Sequence, residues 1–566
     1  MRAKSRLPLG NLLVQEGVIT PNQLLDALLE QQEKGGLLGE VLVRLKLITD
    51  ESVIFKVVAR QQGVEYVQVS ALEIPSTVLD LIPAKLANHY RVLPISHDQN
   101  ALTVAISNVL NVQALDDLEV VTSIRIRPAL ANDKEIMEAI GKYYGVGAET
   151  IEGMVDSAVP SELVEDGLVE RIEELHSEAS ISKFINQMLL QAYKDRVTDI
   201  HIEPFEGQLQ IRNRVDGVLY DVKLPDNIKM FQDSLLARIK IMSNLNIAEK
   251  RLPQDGRFKT RVAEQDFDLR VSFVPTPFGE SCVLRILNSL KLFSFEELGF
   301  EKDELKHLDY LLERPYGIVF VTGPTGSGKT TTLYSCLSRV NKEDAKIITI
   351  EDPIEYQVRG ITQIQVHSQI GLTFAAGLRS MLRQDPDIMM VGEVRDLETA
   401  EVTIHAALTG HLVFSTLHTN DSASAVTRLL DMGTESFLIA SAVECFIAQR
   451  LVRTLCPECK KSGAVLTSEM IKEFGITPQQ AEGKTFYQSV GCKACRMTGF
   501  KGRAAICEFL MMTEPIKELV LKRASASEIK NKAMELGMQT MRQHGFKKVL
   551  QGKTTPEEVL RATHDD

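Results

Sequence analysis

The chain has 566 residues, of which 25% are charged and 44% hydrophobic, and its formal net charge is −12. This composition is typical of a globular protein with three or four domains. The net negative charge argues against broad nucleic-acid affinity, although a local basic patch could still exist on such a protein. No apolar run approaches the roughly 20 residues that a membrane span requires.

The basic start of the chain, residues 1–6, has a faint likeness to an export signal. Gly10, Asn11, Gln15 and Glu16 interrupt the apolar segment that such a signal needs. We therefore expect a cytoplasmic protein, in which cysteines stay reduced.

Residues 1–62 are predicted to be helical, and they contain a weak internal repeat. Leu9-Gly10, Leu13 and Ile19-Thr20 recur 29 residues later in similar form. The second copies are Leu38-Gly39, Leu42 and Ile48-Thr49. The threonine of each copy is expected to cap the helix that follows it.

Residues 63–144 mix short apolar strands, at 92–95 and 102–106, with helical patterns. This predicts a small α/β unit. Together with the helical repeat it completes an N-terminal region, residues 1–144, for which we expect a role in docking a partner.

Residues 145–180 contain ten acidic residues and one basic residue, Arg171. Few large apolar side chains are present to offset the entropy of ordering this segment. It is predicted to be a mobile acidic linker with a short helix near 168–175. The alternative is a solvated helical arm.

Residues 181–290 are predicted to form a middle α/β domain. Strand periodicity is clear at 200–202 and 209–215, and Asp216-Gly217 is a hairpin turn signal.

Residues 291–566 contain the most informative segment of the chain, a complete match to the phosphate-binding pattern G-x-x-x-x-G-K-[ST]. An apolar run at 317–321 precedes it and an amphipathic helical pattern follows it, which is the strand–loop–helix context that the motif needs. Backbone N–H groups of such a loop surround phosphate oxygens, and the helix adds its N-terminal dipole. The predicted ATP-binding residues are Gly323, Pro324, Thr325, Gly326, Ser327, Gly328, Lys329, Thr330 and Thr331.

Within this loop two side chains have predicted chemical roles. Lys329 places a positive charge on the β- and γ-phosphates, and the Thr330 hydroxyl can hold Mg²⁺.

Three carboxylates follow the apolar strand at 347–350, namely those of Glu351, Asp352 and Glu355. Ligands of nucleotide-binding sheets lie at the carboxyl ends of the strands, so these groups are expected near Mg²⁺ or the attacking water.

Another apolar strand, at 388–391, is followed by Gly392 and Glu393. Glycine occupies the position where a Walker-B strand commonly carries its Mg²⁺-binding aspartate. We predict that Glu393 orients or deprotonates the attacking water, and Glu351 is the alternative.

His418 follows a further strand and is predicted to sense the γ-phosphate, although a histidine beside an apolar strand is more often structural. Arginines can neutralise charge that develops on the γ-phosphate. The candidates are Arg270 and Arg285 in the middle domain and Arg379 and Arg383 before the Glu393 strand, while a surface ion pair is the commoner role for any single arginine.

Four cysteines form the pattern C-x₂-C…C-x₂-C, which is a strong signal for structural Zn²⁺. They are Cys456, Cys459, Cys492 and Cys495. The separation between the pairs predicts an inserted helix within a zinc-binding insertion at about 450–505, and redox pairs are the weaker alternative. The other four cysteines have apolar neighbours and are expected in the core.

These motifs, in this order, resemble those of the ATPases of type II secretion and type IV pilus extension. The resemblance covers nearly the whole chain. The segments that carry it are GPTGSGKTTTLY at 323–334, ITIEDPIEY at 348–356, LRQDPDIMMVGEVRD at 382–396, GHLVFSTLHTND at 410–421, RLPQDGR at 251–257 and the two cysteine pairs.

The resemblance implies a homo-hexamer with a RecA-like P-loop core, preceded by a PAS-like α/β domain that moves against it. Arginines at the positions of Arg270 and Arg285 reach the nucleotide in such proteins. The output drives pilin or pseudopilin subunits out of the inner membrane through a platform protein. Retraction motors of the superfamily usually lack the long N-terminal region and the tetracysteine element, so the resemblance favours assembly.

The repeat at 8–60 also resembles a tandem motif that binds cyclic di-GMP in some members of the family. This chain departs from that motif, since Pro8 and Leu37 replace arginine, Lys46 replaces glycine and Arg60 replaces glutamine. The lost arginines would have been partners for phosphate or guanine. Cyclic di-GMP binding and a docking role for another secretion component are both open.

Two other functions compete with the ATP-driven assembly motor. One is a nucleotide-gated binding module without productive hydrolysis, which the presence of Glu393 disfavours. The other is a nucleic-acid-translocating motor on the same core, which the acidic balance disfavours.

Overall fold

The computed structural model describes residues 8–35, 38–45, 47–48, 52–98, 100–109, 111–145, 147–148, 150–151, 167–287, 293–355 and 357–563. The chain forms two compact units, Met1–Leu287 and Asn288–Asp566.

The first unit opens with the predicted helical repeat. Its helices are α1 (Leu9–Gln15), α2 (Pro21–Lys34), α3 (Leu38–Arg44) and α4 (Ser52–Gln62). In the first copy the N–H groups of residues 18 and 19 donate to the Leu13 carbonyl, and in the second copy those of residues 47 and 48 donate to the Leu42 carbonyl. Leu13 and Leu42 are both fully buried. The repeat is therefore structural as well as sequential.

The predicted helix cap at Thr20 is confirmed. Its hydroxyl accepts from the Gln23 N–H at 3.3 Å, and the Gln23 side chain accepts from the Thr20 N–H at 2.8 Å. This reciprocal pair satisfies two N–H groups that the first helical turn leaves without partners. Thr49, the predicted cap of the second copy, lies outside the described residues.

A small α/β unit follows, as predicted, with a four-stranded sheet in the order β1-β4-β3-β2. Its elements are β1 (Glu65–Tyr66), α5 (Ser76–Leu79), α6 (Ala84–Tyr90), β2 (Val92–His97), β3 (Leu102–Ile106), α7 (Val112–Thr122), β4 (Ile126–Leu130) and α8 (Asp133–Tyr144). Strands β3 and β4 are parallel, and β2 is antiparallel to β3.

Part of the predicted acidic linker is ordered. Helix α9 spans Gly167–Lys194, so it includes the short helix predicted near 168–175 and continues through residue 180, as the alternative of a helical arm requires. Ile151, within the same predicted linker, is 1% exposed and belongs to the core that also contains Ile181 and Phe184 of α9. Ile151 inside the segment, together with Ile181 and Phe184 just beyond it, thus supplies burial that the composition of the segment does not suggest.

The rest of the first unit is a six-stranded antiparallel sheet in the order β7-β6-β5-β10-β9-β8. Its elements are β5 (Val197–Phe205), β6 (Gln208–Val215), β7 (Val218–Asp221), α10 (Gln232–Met242), β8 (Gln254–Val262), β9 (Gln265–Thr276) and β10 (Gly279–Leu287). The predicted hairpin turn at Asp216-Gly217 has φ of 50° and 88°, as a two-residue turn with both φ values positive requires.

The second unit is built on a seven-stranded sheet in the order β13-β12-β14-β15-β11-β16-β19. Its strands are β11 (Gly317–Thr322), β12 (Ile347–Glu351), β13 (Ile361–Gln365), β14 (Ile388–Val391), β15 (Leu412–Leu417), β16 (Val443–Leu455) and β19 (Phe500–Met511). All neighbours are parallel except β16 and β19. Along β11, Ile318 and Phe320 face one buried core and Val319 and Val321 face another. Helices therefore cover both faces, as a parallel sheet requires.

Helices connect these strands and continue beyond them. They are α11 (Phe295–Leu298), α12 (Lys302–Leu312), α13 (Lys329–Val340), α14 (Phe374–Met381), α15 (Leu397–Leu408), α16 (Ser422–Asp431), α17 (Ser436–Ala442), α18 (Ser468–Glu473), α19 (Pro478–Ala481), α20 (Glu514–Leu521), α21 (Ala526–Glu535), α22 (Met541–Leu550) and α23 (Pro556–Ala562). A two-stranded ribbon, β17 (Lys461–Ala464) and β18 (Phe486–Gln488), stands beside the cysteine pairs. Among the described helices, none combines the length and apolar character that a bilayer crossing needs.

Candidate functional site

The phosphate-binding sequence forms the turn between β11 and α13. Gly323, Gly326 and Gly328 have φ of 148°, 81° and 87°, in the region that side-chain-bearing residues rarely adopt. The following helix begins at Lys329, with its first N–H groups unpaired inside the helix and available to an anion. The loop therefore has the backbone form that the pattern predicts.

Lys329 is 8% exposed and lies inside the loop that it closes. Its Nζ donates to the carbonyls of Gly323 at 2.8 Å and Pro324 at 3.1 Å. Burial lowers its pKa to about 8, the charge of Glu393 acts against this shift, and Arg450 adds to it. A bound phosphate would favour the charged form of Lys329, because its negative charge offsets the effect of burial on the pKa.

Glu393 is separated from the end of β14 by Gly392 alone and lies close enough to Lys329 for its charge to raise the pKa of that residue. Its carboxylate lies 2.5 Å from an Arg395 nitrogen and 3.0 Å from Nε2 of His418. Its side chain is 12% exposed, so the group is held but still accessible. The fold thus gathers three predicted residues, Lys329, Glu393 and His418, at one edge of the sheet.

Steric contacts explain why glycine, rather than a larger residue, occupies position 392 before Glu393. A Cβ on Gly392 would lie 3.2 Å from the Ile350 carbonyl oxygen and 3.3 Å from the Glu351 Cα. The backbone of β12 therefore leaves little room for a side chain at this position, where other phosphate-loop proteins carry aspartate.

Glu351, the alternative candidate for the attacking-water role, has a different environment. It is 3% exposed, and its carboxylate accepts from the Tyr334 hydroxyl at 2.6 Å, the Thr349 hydroxyl at 2.7 Å and the Gln363 amide at 3.1 Å. These three bonds use most of its acceptor capacity and tie α13 to β12 and β13. The geometry favours an anchoring role for Glu351.

Asp352 and Glu355 lie beyond β12, which is separated from β11 by β14 and β15. Three strand spacings correspond to about 14 Å between the ends of β12 and β11. Thr330, at the start of α13, is exposed and follows Lys329 directly. Among the side chains predicted to lie near Mg²⁺, Thr330 therefore belongs to the phosphate loop itself, whereas Asp352 and Glu355 follow a strand three spacings away.

The four candidate arginines fall in two places. Arg270 and Arg285 are cross-strand partners on β9 and β10 of the first unit, and Arg285 Nε donates to Asp199 at 2.8 Å. Arg379 and Arg383 lie on the surface of the second unit, where Arg379 pairs with Glu398 at 2.8 Å and Arg383 donates to the Arg379 carbonyl at 2.9 Å.

Sequence reasoning missed two arginines near the phosphate loop, Arg395 and Arg450. Arg395 contacts Glu393, and Arg450 both acts on the charge of Lys329 and donates to Asn420 at 3.1 Å. Arg395 could have been found by its place two residues after Glu393. Arg450 lies 121 positions after Lys329, and only the pairing of β16 with β11 brings it near.

The four cysteines of the two pairs converge, with their sulfur atoms all within 4.8 Å of one another. Three Sγ–Sγ distances are 3.8 Å (Cys456–Cys492), 3.7 Å (Cys459–Cys495) and 3.7 Å (Cys492–Cys495). Four thiolates at the Zn–S distance of about 2.3 Å in a tetrahedron would be about 3.8 Å apart. The cluster therefore fits a zinc ion, and the predicted inserted helices, α18 and α19, lie between the pairs.

Two backbone N–H groups favour the deprotonated, negatively charged form of Cys495 in this cluster. The N–H groups of Cys492 and Gly499 donate to Sγ of Cys495 at 3.1 and 3.2 Å. Burial raises the pKa of the Cys495 thiol, but these two donors and the neighbouring thiols outweigh burial and lower it to about 6. The other four cysteines are buried, as predicted: Cys282, Cys336, Cys445 and Cys507.

A buried carboxylate, Glu558 on α23, holds the end of the chain against β16 next to the cysteine cluster. Its side chain is 2% exposed and accepts from Arg453 at 2.9 and 3.1 Å and from Arg561 at 2.7 and 3.0 Å. Burial raises its pKa, but the hydrogen bonds from Arg561 and Arg453 prevail and lower it to about 2.

We expect Glu558→Gln to destabilise the second unit near neutral pH by about 3 kcal/mol, because the carboxylate ionises more readily folded than unfolded. Since the folded pKa is the lower one, this contribution is complete above the unfolded value of about 4.5 and is lost as the pH falls toward 2. Urea unfolding at several pH values measures it. The exposed Glu557→Gln is the matched control, and equal effects of the two substitutions would contradict the assignment.

Comparison with known proteins places the chain among secretion motors. The sequence model of the type II/IV secretion system protein family matches residues 174–561, and that of the MshEN domain matches residues 62–150. The type IV pilus assembly ATPase PilB of Myxococcus xanthus (strain DK1622) is 42% identical over 563 residues, which cover 99% of each chain. The type II secretion system protein E of Xanthomonas campestris pv. campestris is 43% identical over 504 residues, 88% of each chain.

A solved structure agrees with the fold. The ATPase DotB of Legionella pneumophila matches 68% of this chain and 96% of its own, with a TM-score of 0.50 and 22% identity. At that identity the likeness concerns the fold alone, and it confirms the predicted fold class of the ATPase core. The chain therefore belongs to the type II/IV secretion system protein family, and it is a P-loop ATPase.

Proposed function

We propose that this ATPase works as a homo-hexamer at the cytoplasmic face of the inner membrane and drives the assembly of pilin or pseudopilin filaments through a platform protein. The observation that carries the proposal is the match along 99% of both chains to a pilus assembly ATPase. The N-terminal region and the tetracysteine element, which retraction motors of the superfamily usually lack, are both within that match.

In this proposal, ATP binds with its phosphates in the loop 323–330. Lys329 neutralises the β- and γ-phosphates, and the Thr330 hydroxyl would hold a Mg²⁺ ion that would supply further positive charge for phosphoryl transfer. Glu393 accepts a proton from, or orients, the attacking water, and His418 and Arg395 fix its carboxylate. Arg270, Arg285, Arg379 and Arg383 remain candidates for contacts to the γ-phosphate, within one subunit or across subunits.

The accessible carboxylate beside Lys329 favours hydrolysis over a binding module that only senses ATP. ATP turnover by the purified protein separates these two functions. Turnover that does not change on addition of DNA would also exclude the nucleic-acid motor.

The proposed system is tested in the host. We expect deletion of the gene to abolish surface filaments or the secretion of enzymes, and Lys329→Ala to fail in complementation where the wild type succeeds. Loss of filaments would assign the protein to pilus extension, and loss of secreted enzymes would assign it to type II secretion. If neither phenotype changes, the proposal is wrong.

For the N-terminal repeat we infer docking to another secretion component, with cyclic di-GMP as the alternative ligand. Pro8 and Leu37 stand where the cyclic di-GMP motif has arginine, and the loss of these phosphate or guanine partners disfavours the dinucleotide. Calorimetric titration of the full chain with cyclic di-GMP decides between them, because heat at micromolar protein would establish the dinucleotide as a ligand.

A further inference from the structure

Gln449 is a buried residue of β16, and its side-chain amide contacts the phosphate loop. It is 1% exposed. Its Nε2 donates to the Ser327 carbonyl at 2.9 Å, and its Oε1 accepts from the Thr332 hydroxyl at 2.7 Å. One side chain thus bonds both the loop and the first turns of the helix that follows it.

Two loop glycines leave room for this residue. A Cβ on Gly323 would lie 2.5 Å from the Gln449 carbonyl oxygen, and a Cβ on Gly328 would lie 2.8 Å from its Nε2. Around Gly326, by contrast, a Cβ would meet nothing within 4 Å. Gly323 and Gly328 therefore admit Gln449 on the inner side of the loop, whereas Gly326 is required by its positive φ.

The sheet holds Gln449 in this place. Ala448 pairs with Thr322, the last residue of β11, so Gln449 stands beside the first residue of the loop. On its other side Gln449 pairs with Cys507 of β19. Its backbone is therefore held directly by β19 and, through the preceding Ala448, by β11, so its amide can define the position of the Ser327 peptide.

We propose that Gln449 is a positioning residue for the phosphates of ATP, because it keeps the backbone N–H groups of the loop directed at them. The Ser327 carbonyl belongs to the peptide whose N–H is carried by Gly328, so the bond to Gln449 orients that donor. Without the amide, this peptide can rotate, and the loop loses the prepared geometry that makes its donors effective. The inference rests on the proposed ATP-driven function of the same loop.

Gln232 on α10 provides a matched control. It is 7% exposed, donates Nε2 to the Phe278 carbonyl at 3.1 Å and accepts from Lys229 at 2.7 Å. A Cβ on Gly279 would lie 2.4 Å from its amide nitrogen. Gln232 therefore makes the same kinds of contact as Gln449, but it belongs to the first unit, whereas the phosphate loop belongs to the second.

The test compares Gln449→Met with Gln232→Met in the full-length protein. We expect both to lower the melting temperature, because each removes two buried hydrogen bonds. Only Gln449→Met should weaken the equilibrium affinity for ATPγS, by about tenfold, since only it disturbs the donors that hold phosphate. A weakening below about threefold, or an equal loss in Gln232→Met, would overturn the inference.

Two further variants keep the test decisive if Gln449→Met does not fold. Gln449→Glu retains the size of the side chain and, in its ionised form, accepts from Thr332 but cannot donate to Ser327, so it should weaken ATPγS binding at alkaline pH. Thr332→Val removes only the other bond and should have a smaller effect on affinity. Unchanged affinity in Gln449→Glu would overturn the inference, as would a larger loss in Thr332→Val. If the wild type binds ATPγS but does not hydrolyse ATP, the proposed function fails, while these affinities still decide the role of Gln449.

Discussion

Replacing Glu393 by glutamine is expected to reduce ATP turnover by about 10²–10⁴-fold, the range that a positioned general base contributes. The substitution keeps the size of the side chain and an oxygen that can accept from Arg395, but it removes the negative charge of this ion pair and the group that accepts a proton. Lys329 and the loop stay in place, so nucleotide affinity should be retained. Steady-state turnover together with equilibrium binding of ATPγS measures the two effects separately.

Glu351→Gln is the matched control for this experiment. Glu351 is buried and accepts three hydrogen bonds from Tyr334, Thr349 and Gln363, so the change should lower stability and leave most of the turnover. The opposite result, with full turnover in Glu393→Gln and none in Glu351→Gln, would transfer the attacking-water role to Glu351.

Glu351 and Glu393 also show that the sequence predicts the position of a carboxylate along a strand but not its surroundings in the fold. The spacing of the motifs was enough to place Glu351 and Glu393 at the carboxyl ends of two strands. Which way each carboxylate faces depends on the register of the strand and on its neighbours. Glu351 meets the Tyr334 hydroxyl of α13 and the amide of Gln363 on β13, and no local pattern predicts those contacts.

Local chemistry predicted other features well. The phosphate loop, the cap at Thr20, the turn at Asp216-Gly217 and the convergence of the four cysteines each depend on residue types at short spacing. Gln449 and Arg450 depend instead on β16 lying beside β11, which is a pairing between distant parts of the chain. For residues 145–180 the short helix near 168–175 was predicted, but its continuation into α9 and the burial of Ile151 were not, because the count of charges hides them.

Removing zinc is expected to destabilise the second unit by more than the 1–3 kcal/mol of an ordinary core substitution, because a structural metal contributes its binding free energy to folding. We expect one zinc ion per chain, and Cys495→Ser should lose it. Metal analysis and thermal unfolding, with and without a chelator, measure both outcomes. Replacement by Co²⁺ should give the absorption bands of a tetrahedral tetrathiolate site.

Cys336→Ser is the control, because this thiol is also buried but lies on α13, apart from the two cysteine pairs. It should retain zinc and show only the cost of a polar group in the core.

The cysteine cluster lies directly after β16, since Cys456 follows Leu455 and its N–H donates to the Gly499 carbonyl at 2.9 Å. Zinc loss should therefore loosen the end of the strand that carries Gln449, and ATPγS affinity should fall together with stability. A protein that contains no metal and unfolds at the same temperature with and without chelator would refute the zinc site, whereas loss of stability at constant ATPγS affinity would show that the cluster supports the fold without acting on the loop.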